Sequence, residues 1–180
     1  MLNKKDSLIE ELIMQMSTGD MSAMGKLYEL IKTDVFAYAL SKCSSVQDAE
    51  DVVHDTFVQI YKYSTRYKPM GKPLAWIFTI EHNLIRRQYN LSNMLIALDE
   101  EIDTKSIATD FSSQIVDNQF LLEIMRILTK EEQEIIALHV VSGLKHREIA
   151  KLISKPLSTV LSKYNRAIKK LQSCVKEEDK

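Results

Sequence analysis

Apolar residues recur along most of this chain every three to four positions, the spacing that puts them on one side of an α-helix. Residues 6–16, DSLIEELIMQM, read as a short helix. Gly19-Asp20 punctuates, and Asp20 can cap the next helix. From Met21 to about Lys42 this second helix carries Met24, Leu27, Tyr28, Ile31, Val35, Phe36 and Ala39, a core-facing stripe. Ser44-Ser45 breaks the pattern. The third helix, DAEDVVHDTFVQIYKY, has Ala49, Val53, Phe57 and Ile60 on one side. Asp48, Asp51, Asp55 and Gln59 fall nearly opposite, with Val52 and Val58 at the edges. Such an acidic stripe edged with aliphatics can dock on a basic helical partner. STRYKPMGKP is a loop, because its prolines and glycine forbid a helix interior. A fourth helix comes after it. Trp76, Ile77, Ile80 and Leu84 make its apolar face, and Ala75, Thr79, His82 and Arg86 a polar stripe, with Asn83 and Arg87 beside it.

The period fades over residues 91–118, which hold six acidic residues and one lysine, Lys105, and are rich in Ser, Thr and Asp. This reads as a linker between two small helical domains, 1–90 and 119–176, since a structureless loop of this length inside one domain is unusual. Beyond it Leu121, Leu122, Met125 and Leu128 form a helix. Thr129 and Glu132 have the spacing of a capping box. They open a helix with Ile135, Leu138 and Val141 that stops at Ser142-Gly143. Then come KHREIAKLI, a break at SKP, and LSTVLSKYNRAIKKLQ. In the last helix Val160, Leu161, Tyr164, Ala167, Ile168 and Leu171 gather on one side, and Ser158, Thr159, Ser162, Lys163, Asn165, Arg166, Lys169 and Lys170 fill the rest. Ile149, Ala150 and Leu152 of the preceding helix point inward, and Pro156 sits where its missing N–H costs nothing. The expected fold is all-α, with a helix-turn-helix at the C-terminal end whose second helix suits the DNA major groove.

Composition narrows the function. Four glycines and three prolines are too few for a strand-dense fold. No apolar run approaches a membrane span of about 18 residues, and MLNKKDSLIEEL lacks the apolar core of a signal peptide. Cys43 and Cys174 match no metal or disulfide pattern, so a reducing cytoplasm is the expected setting. The net charge of −1 hides an asymmetry: residues 145–176 hold nine basic residues and one acidic, a local +8 that suits a polyanion. Small hydroxyls near the start of the last helix allow close approach to base edges, and its Lys and Arg can reach phosphates or guanine. His54, His82, His139 and His146 are scattered without ligand partners, so no metal site is expected. There is no nucleophile–base set, no phosphate-binding glycine loop and no paired acids. Neither an enzyme nor a cofactor is expected.

These stretches together resemble the bacterial sigma factors of the extracytoplasmic-function (ECF) group. DAEDVVHDTFVQIYK is similar to the family's polymerase-binding helix, and PLAWIFTIEHNLIRR to its promoter-melting helix. Gly143-Leu144, Glu148-Ile149-Ala150 and Pro156-Leu157-Ser158-Thr159-Val160-Leu161-Ser162 resemble its C-terminal helix-turn-helix. The resemblance implies that Asp48, Asp51, Val52, Asp55, Val58 and Gln59 bind core RNA polymerase. It implies that Tyr67, Lys68, Lys72, Trp76, Thr79, His82, Asn83, Arg86 and Arg87 hold the downstream promoter element as single strand, helped by Tyr63 and Phe78, with Asn83 beside a flipped-base pocket. It implies that Lys155, Ser158, Thr159, Ser162, Lys163, Arg166 and Lys170 read the upstream element. The linker would thread into the polymerase channels, and an anti-sigma factor clamped over both domains would be a further partner. The chain departs from the family pattern at Thr79 and His82, where Arg is common, and at Glu81, an added acid; this implies weak, selective melting. His146 stands for a common aromatic and Ser154 for a common turn glycine. Two other readings compete: a helix-turn-helix regulator whose N-terminal helices dimerise or bind an effector, and a helical enzyme with a nucleic-acid-binding tail.

Overall fold

The structure, a computed structural model, describes residues 4–96 and 126–178, and every regular element among them is helical. Helix α1 spans Lys4–Ser17, α2 Ser22–Lys42, α3 Val46–Ser64 and α4 Pro73–Ile96. Asp20 does not occupy the cap position of α2, which falls to Met21; its carboxylate instead accepts the Ser22 N–H at 2.8 Å. Ser45, expected only as a break, caps α3 by accepting the Asp48 N–H at 3.1 Å. Of the expected linker, residues 91–96 continue α4 as helix, and 97–118 lie outside the described residues, as do Leu121, Leu122 and Met125.

The second half begins with α5, Lys130–Ile136, which runs into a π turn, Ala137–Val141. Both halves of the capping box form: Glu132 donates its N–H to Thr129 Oγ1 and accepts the Thr129 N–H at 2.9 Å. Gly143, at φ +74°, ends the turn in the left-handed conformation that glycine adopts without penalty. Helix α6, His146–Leu152, and helix α7, Leu157–Glu178, form the helix-turn-helix. Ser154 in its turn also has positive φ, +53°, so the serine takes up a conformation in which glycine is easier.

The two halves pack on each other. One contiguous apolar cluster runs from Ile9, Ile13, Leu27, Ile31, Phe36, Phe57 and Phe78 to Ile135, Leu138, Leu144, Ile149 and Val160. Burying each such side chain contributes about 1.5–3 kcal/mol. A smaller cluster of Leu128, Ile136 and Ala167 joins α5 to α7. Polar contacts also cross between the halves. Lys42 Nζ lies 2.6 Å from Glu134 and Lys72 Nζ 2.7 Å from Glu148. Lys130 donates to the carbonyls of Leu40 and Cys43 at the end of α2.

Three side-chain expectations need correction. The buried stripe of α4 is Leu74, Ile77, Phe78 and Glu81, while Trp76, Ile80 and Leu84 are only half-buried. The stripe has the i, i+3, i+4, i+7 pattern of a core face, disguised because its last member is an acid. On α7, Leu161 is exposed rather than inward. On α6 only Ile149 is fully buried; Ala150 and Leu152 are half-buried. No helix among the described residues is long and apolar enough to cross a membrane.

Candidate nucleic-acid interface

Helix α3 presents Asp48, Asp51 and Asp55 to solvent, because Ala49, Val53, Phe57 and Ile60 fix the opposite face in the core. Val52, expected at the exposed edge of this stripe, is fully buried and cannot meet a partner; helical geometry puts it beside Val53 in the core. Val58 and Gln59 are half-buried. Gln59 turns from the acidic stripe towards α4, where it lines a cavity of about 440 Å³ with Tyr63, Ile80, Asn83, Leu84, Arg86 and Arg87. This cavity, lined from α3 and α4 alone, brings an amide pair, an aromatic ring and two guanidinium groups together.

The other flank of α4 borders the second half of the molecule. Ala75, Thr79 and His82 face α6 across a second cavity of about 610 Å³, and Asn83 and Arg86 stand on the ridge between the two cavities. His82, expected to face DNA, is half-buried with its Nδ1 2.8 Å from the Tyr38 hydroxyl. Burial lowers its pKa, reinforced by Lys42 and Arg86 and opposed by Glu134, so the ring is neutral near pH 7. Thr79 is exposed, with its hydroxyl donating back to the Ala75 carbonyl. Glu81 is not on the DNA-facing stripe at all. It is completely buried, and desolvation raises its pKa well above the ordinary range, opposed only by the Ala39 backbone. Burial therefore disfavours its charged form.

The loop before α4 is built by a residue that sequence reasoning missed. Glu10, on α1, accepts the Tyr67 hydroxyl at 2.8 Å, the Met70 N–H at 3.1 Å and the Gly71 N–H at 2.8 Å. No local pattern could flag an acid 57 to 61 positions from its partners. Tyr67, expected to stack on a base, is 8% exposed and packs its ring on Trp76, centroids 4.7 Å apart. Burial, with the bond to Glu10, raises its pKa. Tyr67 therefore belongs to the core. Trp76 is half-buried beneath it, and Phe78 is fully buried against Tyr38. Lys68 remains exposed, and Lys72 is committed to Glu148.

On α7 and just before it, Lys155, Ser158, Ser162 and Arg166 are exposed, and Thr159 is half-buried. Arg166 donates to the Ser162 carbonyl and hydroxyl at 3.4 Å, which lays its guanidinium along the helix. Lys163 and Lys170, expected among the DNA readers, turn onto α5: Lys163 pairs with Glu131, and Lys170 lies 2.6 Å from Glu132. The two acids in the first turn of α5, Glu131 and Glu132, attract them. His139 and His146, expected to be scattered, stack with ring centroids 3.9 Å apart, and Tyr164 meets both edge-on. His146 thus does the packing of an aromatic at its position. No group of three or more His, Cys, Asp or Glu among the described residues is placed to hold a metal. Burial pushes the Cys43 thiol up to about 12, which leaves it a poor nucleophile.

Comparison with known proteins matches residues 27–91 to Sigma-70 region 2 and residues 121–171 to Sigma-70 region 4. Among curated proteins, the chain is 24% identical over 167 residues to the ECF RNA polymerase sigma factor BldN of Streptomyces coelicolor. That alignment covers 89% of this chain but 63% of BldN, a little under two thirds of the relative. It is 23% identical to the ECF RNA polymerase sigma factor SigK of Mycobacterium ulcerans, covering 93% of each. Among solved structures it shares its fold with the sigma factor RpoE from Bartonella quintana, seen in complex with the anti-sigma factor NepR. The TM-score is 0.63 at 24% identity, over 84% of this chain and 96% of that one. CnrH, in complex with the cytosolic domain of CnrY, gives a TM-score of 0.57 at 21% identity, over 94% of this chain and 98% of the other.

Proposed function

Since the chain belongs to the sigma-70 family of RNA polymerase sigma factors, in its ECF group, we propose how its residues divide the work of promoter recognition. Asp48, Asp51 and Asp55 on α3 bind core RNA polymerase. The cavity between α3 and α4 receives an unstacked base of the non-template strand, with Asn83 and Gln59 offering amides to its edge. Tyr63 offers a ring to stack on, and Arg86, Arg87 and Lys68 reach the phosphates. Lys155, Ser158, Ser162 and Arg166 approach the upstream element as duplex, with Lys163 and Lys170 available only after leaving Glu131 and Glu132. The domains divide as 1–90 for polymerase and downstream element, 91–118 as linker, and 119–176 for the upstream element. The protein acts in the cytoplasm and has no catalytic activity of its own. An anti-sigma factor is a fitting regulator, by analogy with the complexes of RpoE and CnrH.

The observation that carries this reading is the adjacency of an exposed acidic face on α3 and an open amide- and arginine-lined cavity one helix away. A polymerase-binding surface and a single-strand-binding surface are thereby offered side by side. The regulator reading is not favoured by the region 2 match. The test is to mix the protein with core polymerase and follow co-elution and promoter-dependent transcription. Formation of a complex that transcribes from a defined promoter supports the assignment, and binding to DNA without any affinity for core polymerase contradicts it.

A further inference from the structure

We propose that the cleft between α4 and α6 binds a short phosphate chain, such as inorganic tripolyphosphate or the triphosphate of a nucleotide, which bridges the two halves of the molecule. The cleft encloses about 610 Å³, within the range of roughly 300–1,000 Å³ usual for small-ligand sites. Its two walls come from different halves. Lys72 and Arg86 line it from the α4 side, and Lys145, Arg147 and Lys151 from the α6 side. The one acid in the lining, Glu148, is held by Lys72 at 2.7 Å. Five cations against one carboxylate leave the cleft at +4.

Like charges facing each other across a confined space oppose the packing of the halves, and an anion between them reverses the sign of that interaction. A single small anion can satisfy one wall. A chain of phosphates carries charge along its length and can engage both walls at once. The guanidinium forks of Arg86 and Arg147, one on each wall, match phosphate oxygens in pairs. The site exists only while the halves are packed, so an occupant stabilises the packed form and holds the Thr79 flank of α4 away from a promoter strand. This goes beyond the sigma-factor assignment, because it concerns the free protein.

The experiment is calorimetric titration of the full chain, at near-physiological salt to screen diffuse attraction, first with tripolyphosphate and then with ATP. The wild type is compared with Arg147→Gln/Lys151→Gln, and with Lys72→Gln on the opposite wall. Arg147 and Lys151 are exposed and lie outside the surfaces assigned to polymerase and DNA, so affinity for core polymerase without phosphate is a separate readout of the sigma-factor assignment. Circular dichroism checks that each variant is folded. The expected result is saturable one-to-one binding, a rise in melting temperature with ligand, and an affinity lowered about tenfold or more by changes on either wall. Equal affinity for both ligands identifies the phosphate chain as the recognised group, and tighter ATP binding adds a nucleoside contact. Absence of saturable binding by either ligand, or binding that both variants leave unchanged, overturns the proposal.

Discussion

The two flanks of α4 carry similar residues and meet different surroundings. On one flank, Asn83, Arg86 and Arg87 border an open cavity shared with Gln59 and Tyr63 of α3. On the other, exposed Thr79 and half-buried His82 line a cleft shared with α6, with His82 tied to Tyr38 and Glu81 buried in the core. A single polar stripe in the sequence is thus two surfaces, one shared with α3 and one shared with the C-terminal half. The missing arginine at position 82 has a structural counterpart: a neutral ring suits a half-buried site beside Lys42 and Arg86 better than another cation does.

The largest effect is expected on the open side. Asp51→Lys with Asp55→Lys should leave the fold intact, since both side chains are exposed, yet weaken core polymerase binding by about a hundredfold or more, because like charges placed across an interface cost several kcal/mol. A pull-down or fluorescence titration with core enzyme measures this, and unchanged affinity would move the polymerase contact elsewhere. Beneath the flank shared with the C-terminal half, Glu81→Leu should stabilise the protein by on the order of 1–4 kcal/mol at neutral pH, as replacing a buried ionisable group by an apolar one often does. The gain has a defined pH dependence. Glu81 has a folded pKa raised above its unfolded value, so the folded state binds more protons than the unfolded state between the two. Wild-type stability then falls as pH rises above about 4.5, and the advantage of the variant grows over the same window. Denaturant melts from pH 5 to pH 8 would show it; a gap independent of pH would mean that Glu81 is not buried as the neutral acid.

Much of this was legible in the sequence, and the exceptions have two causes. The helix at α1, the core stripes of α2 and α3 apart from Val52, the capping box at Thr129 and the helix-turn-helix arise from spacing within one turn or two of helix, and local rules capture them. The Glu81 core position was hidden because a carboxylic acid does not announce itself as apolar. The roles of Glu10, Lys163 and Lys170 depend on partners 57, 32 and 38 residues away. The packing of the two halves is likewise a long-range fact, and it decides which side of α4 borders the second half.

Two smaller effects sharpen the comparison at the edges of the flank shared with the C-terminal half. Glu10→Ala removes the acceptor for three donors in the loop that leads into α4, and should cost on the order of 2 kcal/mol, since bonds to a charged acceptor are worth about 1.5–3 kcal/mol and are not additive. Hydrogen exchange at Met70 and Gly71 should accelerate; if it does not, Glu10 does not order the loop. In the turn after α6, Ser154→Gly relieves a positive φ and should raise stability by about 1 kcal/mol. Thermal unfolding measures it, and a loss of stability would show that the serine is not strained there.

The central claim is that the two halves of this sigma factor pack on each other in the free chain and part on joining the polymerase. Zero-length carbodiimide crosslinking between Lys72 and Glu148, 2.7 Å apart across the cleft, tests it most directly. Mass spectrometry should find the Lys72–Glu148 crosslink in the free protein and its loss when core polymerase is added. A crosslink that persists undiminished in the polymerase complex, or that never forms in the free chain, would contradict the account.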